Sequence, residues 1–249
     1  MPESNRSLER GLALLDCFKP GVTALAHSHL VDRTGLPKAT VTRLLTSLCK
    51  SGYLTYDAPA KGYRIGTPVL SLARAYTVGS ALLARMGPLI REVARDTGTI
   101  VGVAQAHGTD MVYLDQVNFD RARAGRQVGP GQHLPIVHSA IGRAFLGDLP
   151  AQERTQRIAR LRASDPQWTA ALALDVERSI QEVRQRGHCV VLWHEGRMVA
   201  VGAPFRTADG ERYALNIAYA PRVNGERRLP EALGVALQRL MDCARDQEL

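Results

Sequence analysis

Leu8, Gly11, Leu12, Leu15 and Phe18 recur at helical spacing and predict a first helix with one apolar face, ended by Pro20-Gly21. A second, shorter helix is predicted from about Ser28 to Thr34, with Leu30 and Val31 inward and Gly35 as its stop. Pro37 then suits the first turn of a third helix, in which Val41, Leu44, Leu45 and Leu48 fall at i, i+3, i+4 and i+7. After Ser51-Gly52 the period shortens to about two: YLTY and YRI read as two strands around the turn DAPAKG.

Further along, TPVLSLARAY is a predicted linker helix and LLARMGPLIREVARDTG a second helix closed by Gly98. TIVGVAQA and MVYLDQV are strand-like runs separated by turn residues, and LPIVHSAIGRAFLGDLP leads into a short helix. Residues 151 to 187 read mainly as helix, broken at Ser164 to Pro166. CVVLWHEG, MVAVGAPF and YALNIAYAP predict three more strands, the last two joined through TADGE, and a final helix is expected from about Leu229. Strands with helices before, between and after them imply an α+β domain around a mainly antiparallel sheet.

Charge changes the picture of the first 66 residues. They carry nine Lys/Arg against five Asp/Glu, a net +4, whereas the other 183 residues carry 23 against 19, the same +4, within an overall +8 and a pI near 9.7. All four lysines (Lys19, Lys38, Lys50, Lys61) lie in that first quarter. The outer face of the third predicted helix holds Ala39, Thr42, Arg43, Thr46 and Lys50, with Lys38 and Thr40 near its start, and no acid. A merely solvated face would mix Glu with Lys. Two helices joined by a Gly-containing turn, the second basic outward, form the helix-turn-helix pattern that enters the major groove. The hairpin beside it, with Lys61 and Arg64, is then a wing. The helix is expected to read bases and the hairpin to hold phosphates.

Composition excludes other classes. No run of ~18 apolar residues exists, so no membrane span is expected and the chain is placed in the cytoplasm. Cys17, Cys49, Cys189 and Cys243 are far apart with no CxxC pair, which reads as reduced thiols. The seven histidines form neither HExxH nor a zinc spacing, although His133, His138 and His188 could converge in a fold. Ser139 beside His138 lacks a GxSxG elbow or triad order, and the glycines of GRQVGPGQH lack the strand-loop-helix context of a phosphate site. No metal, cofactor or enzyme activity is expected.

SLERGLALLDCF, HLVDRTGLPKATVTRLLTSLCKSGYLTYD and GYRIG together resemble the N-terminal domain of IclR-type bacterial transcriptional regulators, and LPIVHSAIGRAFL, VRQRGHCV, VGAPF and YALNIA are similar to later blocks of that family. The resemblance implies a winged helix-turn-helix domain over residues 1–66, a linker helix over 67–81 and a GAF-like effector-binding domain over 82–249. Lys38, Ala39, Thr40, Thr42 and Arg43 would face base edges of a double-stranded operator, with Lys61 and Arg64 on its backbone, bound by a dimer or a tetramer. Where many members carry an acidic run and Pro-Gly-Val-x-Cys, this chain has VVLWHEGRMVAVGAPF, lacking the cysteine. Carried over, the effector pocket falls on Leu134, Ala140, Ile141, Asn216 and Ala218, with Ser139 and Trp193 beside them and Val190, Val191 and Ala200 near the altered segment. Such a pocket fits an aromatic or otherwise apolar organic acid better than a short keto acid. The alternative is a second domain that only oligomerises.

Overall fold

A computed structural model describes residues 5–120, 129–193, 197–221 and 230–245 and divides between Gly79 and Ser80 into two compact units. In the first, α1 (Arg6–Leu15) is capped by Asn5, whose Oδ1 accepts from the Ser7 and Leu8 amides at 3.1 and 3.2 Å. α2 (His27–Thr34) ends on Gly35 in the left-handed conformation that glycine adopts without steric cost, and α3 (Lys38–Lys50) follows with Pro37 one residue outside it, at the N-cap. Leu14, Leu30, Val41 and Leu45 from the three helices meet Leu25 and Leu54 in one small core. The predicted stripe of α1 is rotated from its expected position: Gly11 and Leu14 are buried, but Leu8 and Leu12 are 61% and 52% exposed. Spacing identifies an apolar flank, and the core takes up its later part: Leu15 and Phe18 pack half-buried against it beside Leu14.

The wing is an antiparallel pair, β1 (Leu54–Asp57) with β2 (Gly62–Ile65). Leu25 joins it as a lone bridge, exchanging backbone hydrogen bonds with Tyr63 at 2.8 and 2.9 Å. Gly62 permits this approach, since a β-carbon there would lie 3.0 Å from the Leu25 backbone. α4 (Pro68–Gly79) contains no buried residue.

The second unit begins with α5 (Ala81–Thr97), capped by Ser80 and ended by left-handed Gly98. Its sheet comprises β3 (Ile100–His107), β4 (Asp110–Asn118), β5 (His133–Pro135), β6 (Cys189–Trp193), β7 (Met198–Arg206) and β8 (Arg212–Tyr219), in the spatial order β5-β4-β3-β8-β7-β6 with every pair antiparallel. Both faces are covered. Val101, Val103, Val199, Val201, Leu215 and Ile217 point toward α5 and α9 (Glu231–Arg245). The other face meets α6 (Ala140–Asp148), α7 (Ala151–Ser164) and α8 (Ala170–Arg186) through Ala104, Met111, Tyr113 and Ala214. Burial on both sides explains why these strands read as continuous apolar runs. A bulge in β4 pairs Val103 with Asp115 but Ala104 with Tyr113, which keeps Tyr113 on the α6 side. The expected start of the last helix, Leu229, lies outside the described residues, as do His194, Glu195 and Gly196 of the altered segment and the first glycine of GRQVGPGQH.

Candidate functional site

On α3 the residues Lys38, Ala39, Thr42, Arg43, Thr46 and Lys50 are exposed together, and Thr40 is half-buried. Thr42 has its hydroxyl committed: it donates to the Lys38 carbonyl at 3.0 Å, and His27 Nε2 lies 3.0 Å from the same oxygen. With the Thr42 hydroxyl donating to the Lys38 carbonyl, its oxygen can accept from His27 in the tautomer that carries the hydrogen on Nε2. What Thr42 still offers outward is a methyl group. The contact also ties the start of α2 to the outer face of α3, and sequence spacing did not single out His27 for it.

At the wing tip Lys61 is exposed and adopts φ 48°, uncommon for a residue with a β-carbon. Asp57 shapes that turn by accepting from the Ala60 amide at 3.1 Å. Arg64 is not held as a free cation, because its guanidinium pairs with the Asp57 carboxylate within the hairpin. Tyr56 and Tyr63 pack edge to face with centroids 5.3 Å apart. Burial pushes the Cys17 and Cys49 thiols above their ordinary range, which keeps both protonated near neutral pH.

In the second unit, Leu134, Ser139, Ala140, Ile141, Trp193, Asn216 and Ala218 all line one cavity. With its open mouth it holds about 530 Å³ of empty space. Ile100, Tyr113, Gln116, Gln132, Met198 and Ala200 complete the wall, and among the described residues no charged one lines it. Of the residues expected near the altered segment, Ala200 reaches the cavity and Val191 packs in the cluster beneath it, whereas Val190 belongs to the α5–α9 side. Strand alternation decides this, since residues 189, 191 and 193 share one face and 190 and 192 the other.

Two strand glycines make room for the cavity. Gln116, Gly102, Asn216 and Gly202 lie side by side across β4, β3, β8 and β7. A β-carbon on Gly102 would come within 2.7 Å of the Tyr113 ring, and one on Gly202 within 2.2 Å of the Ala140 carbonyl oxygen. Tyr113 thus lies over Gly102 and donates its hydroxyl to Asn216 Oδ1 at 3.1 Å, while α6 begins directly on Gly202. Ser139 is the α6 cap: it donates to the Pro135 carbonyl at 2.9 Å and accepts from the Gly142 amide at 3.1 Å. That leaves the first two N–H groups of the helix, on Ala140 and Ile141, for an acceptor outside it. Glycine inside an apolar strand and glutamine within such a run are the sequence signals that mark Gly102, Gly202 and Gln116.

Arg143, buried on α6, donates to the Val137 carbonyl at 2.8 Å and to Ser179 Oγ at 3.3 Å, holding the 3₁₀ turn Ile136–His138 that precedes the cap. The three histidines do not converge. His133 pairs with Asp110 at 3.1 Å, His138 with Asp165 at 2.8 Å, and His188 lies 3.2 Å from the Arg186 carbonyl. The Gln167 backbone N–H, and then His138, hold the Asp165 carboxyl below its ordinary value. Among the described residues no group of three or more His, Cys, Asp or Glu is arranged to hold a metal ion, and no helix is long and apolar enough to cross a membrane.

Comparison with known proteins gives two family matches, one described as the IclR helix-turn-helix domain over residues 7–58 and one as the bacterial transcriptional regulator IclR C-terminal domain over residues 74–247. The chain is 34% identical over 208 residues to the HTH-type transcriptional regulator TsaQ1/TsaQ2 of Comamonas testosteroni, covering 78% of this chain and 70% of that one. An IclR family transcriptional regulator from Brucella abortus superposes with a TM-score of 0.85 at 26% identity, covering 97% of this chain and 92% of that one. An IclR homolog from Microbacterium hydrocarbonoxydans, solved in complex with 4-hydroxybenzoate, shares the fold with a TM-score of 0.73 at 17% identity over 96% and 97% of the two chains.

Proposed function

The chain belongs to the IclR family of DNA-binding transcriptional regulators, and on that premise we propose that its second unit binds a small aromatic or otherwise apolar organic acid that alters operator affinity. The observation that carries the reading is the cavity: apolar walls, a few amides and a helix start, with no charged side chain among the described residues that line it. A compact, heavily hydrated keto acid would lose its water there with little in return. An apolar body would fill the space between Leu134, Ile141 and Ala218 while one carboxylate accepts from the Ala140 and Ile141 amides at the positive end of α6. The 4-hydroxybenzoate complex of the Microbacterium homolog is consistent with a ligand of this class.

In the same reading, Lys38, Ala39, Thr40, Thr42 and Arg43 enter the major groove, and Lys61 and Arg64 follow the phosphate backbone. A second copy of the chain covers α4, whose Leu70, Leu72, Tyr76 and Val78 are 72%, 56%, 49% and 62% exposed, and the pair matches two half-sites. The bound acid biases two arrangements of that assembly, with a coupling of about 1 to 3 kcal/mol.

The test begins with an operator selected from random duplexes by the full-length protein. Affinity for it is measured by fluorescence anisotropy at fixed salt, with and without benzoates, phenylacetate, pyruvate and glyoxylate. A saturable change in affinity with an aromatic acid, and none with the keto acids, is expected. A response confined to the keto acids would overturn the ligand class. Absence of any response, with no thermal shift, would leave the second unit as an oligomerisation module.

A further inference from the structure

His27, the first residue of α2, lies fifteen residues before Thr42 in the chain, yet its Nε2 stands 3.0 Å from the Thr42 hydroxyl oxygen on the outer face of α3. Among the described residues no other side-chain hydrogen bond joins these two helices. His27 is half-buried and Thr42 exposed, so the imidazole grips the threonine from behind the face that α3 presents.

That grip sets Thr42 apart from the next threonine along the helix. A helical threonine divides between two χ1 rotamers, since its hydroxyl can bond the carbonyl of the preceding turn from either. Thr46 has only that backward bond, donating to the Thr42 carbonyl at 2.9 Å. Thr42 makes the same bond, to the Lys38 carbonyl at 3.0 Å, and His27 holds its oxygen from a second side. One rotamer is thereby selected before DNA arrives, and its ordering is not charged against binding.

The same contact limits what the oxygen can do. Its proton goes to Lys38 and a lone pair to the imidazole N–H, which makes it a poor acceptor for the amino groups that adenine and cytosine present in the major groove. The γ-methyl remains, and its counterpart there is the C5-methyl of thymine.

We infer that His27 is a positioning residue for base reading: by holding the Thr42 hydroxyl, it makes this point of α3 select thymine by methyl contact instead of accepting a hydrogen bond from adenine or cytosine. This rests on the reading of α3 as the helix in the major groove, and adds to it a specificity determinant on α2 that acts only through Thr42.

The test uses the full-length protein and its selected operator, with each thymine replaced in turn by uracil, which lacks the methyl, and then by cytosine. For the parent, one uracil substitution is expected to weaken binding about fourfold, the worth of one buried methyl-sized group. The position is assigned to Thr42 by loss of that penalty in Thr42→Ser. His27→Phe keeps a ring and removes the N–H, so the uracil and cytosine penalties at that position should both shrink toward none. His27→Gln supplies an amide N–H in place of Nε2–H and should restore them. A packing defect alone would weaken thymine and uracil duplexes alike. Thermal melts check folding, and His27→Ala carries the comparison should the Phe variant not fold. A uracil penalty that persists without the imidazole, or a loss that His27→Gln does not reverse, overturns the inference while leaving α3 as the reader. A parent with no methyl-dependent position assignable to Thr42 overturns it together with the methyl reading of that residue.

Discussion

Gly202 of β7 lies directly beneath Ala140, the first residue of α6, so close that a β-carbon at 202 would stand 2.2 Å from the Ala140 carbonyl oxygen. Backbone meets backbone here, and neither side has a flexible end to move. Gly202→Ala must lift the start of α6, at a cost of about 1 to 3 kcal/mol, and displace the Ala140 and Ile141 amides from the cavity. Thermal melting and acid titration should both report the loss. Gly11→Ala is the contrasting case, since nothing lies within 4 Å of the added carbon and the position is helical; a gain of about 0.5 to 1 kcal/mol is expected.

Thr42 and Arg43 should separate two kinds of base reading. Arg43→Ala should relax sequence preference, at about 1 to 3 kcal/mol of discrimination, with the fold intact by circular dichroism. Thr42 has its hydroxyl bound to Lys38 and His27, so it should read through its methyl. Thr42→Val should then hold most of the affinity and Thr42→Ser should lose more. Replacing operator thymines one at a time with uracil should locate the contact, and a Thr42→Ser variant as tight as the parent would rule it out.

The wing predicts an asymmetry in salt dependence. Lys61→Ala should flatten the slope of log K against log salt by about 0.9, the value of one phosphate contact. Arg64→Ala should flatten it by less, because Asp57 already offsets that charge. Asp57→Asn releases Arg64 while retaining the carbonyl oxygen that caps the Ala60 amide, and should steepen the slope. Equal slopes for all three variants would remove the hairpin from the interface.

Self-association through α4 has a direct measurement. Leu70→Glu with Leu72→Glu alters residues exposed within the chain, so helix content should be unchanged. Sedimentation at micromolar concentration should show a larger species for the parent and a shift toward the 27.2 kDa monomer for the variant, with weaker operator binding. A parent that sediments as a monomer would count against the proposed pairing.

Much of the fold was legible because its signals are short-range. The helical spacing of Val41, Leu44, Leu45 and Leu48, the glycine stop at Gly35, and the change of period after Gly52 act within a few residues, so sequence alone placed α3 and the wing beside it. The strand runs of the second unit were visible for the same reason, and the resemblance of its motifs pointed to seven residues that share one cavity wall. Other features belong to tertiary structure because they depend on partners distant in sequence. Leu8 and Leu12 face outward because the core beneath α1 is met by Leu14, Leu15 and Phe18 instead, and Arg64 is paired because strand pairing sets it near Asp57. Alternation turns Val190 away from the cavity, and a bulge in the pairing of β4 with β3, next to Tyr113, keeps Tyr113 facing it. Asn216 becomes the acceptor of the Tyr113 hydroxyl only when β4, β3 and β8 are assembled, since a hydrogen-bond partner is a property of neighbours in space rather than of residues in order.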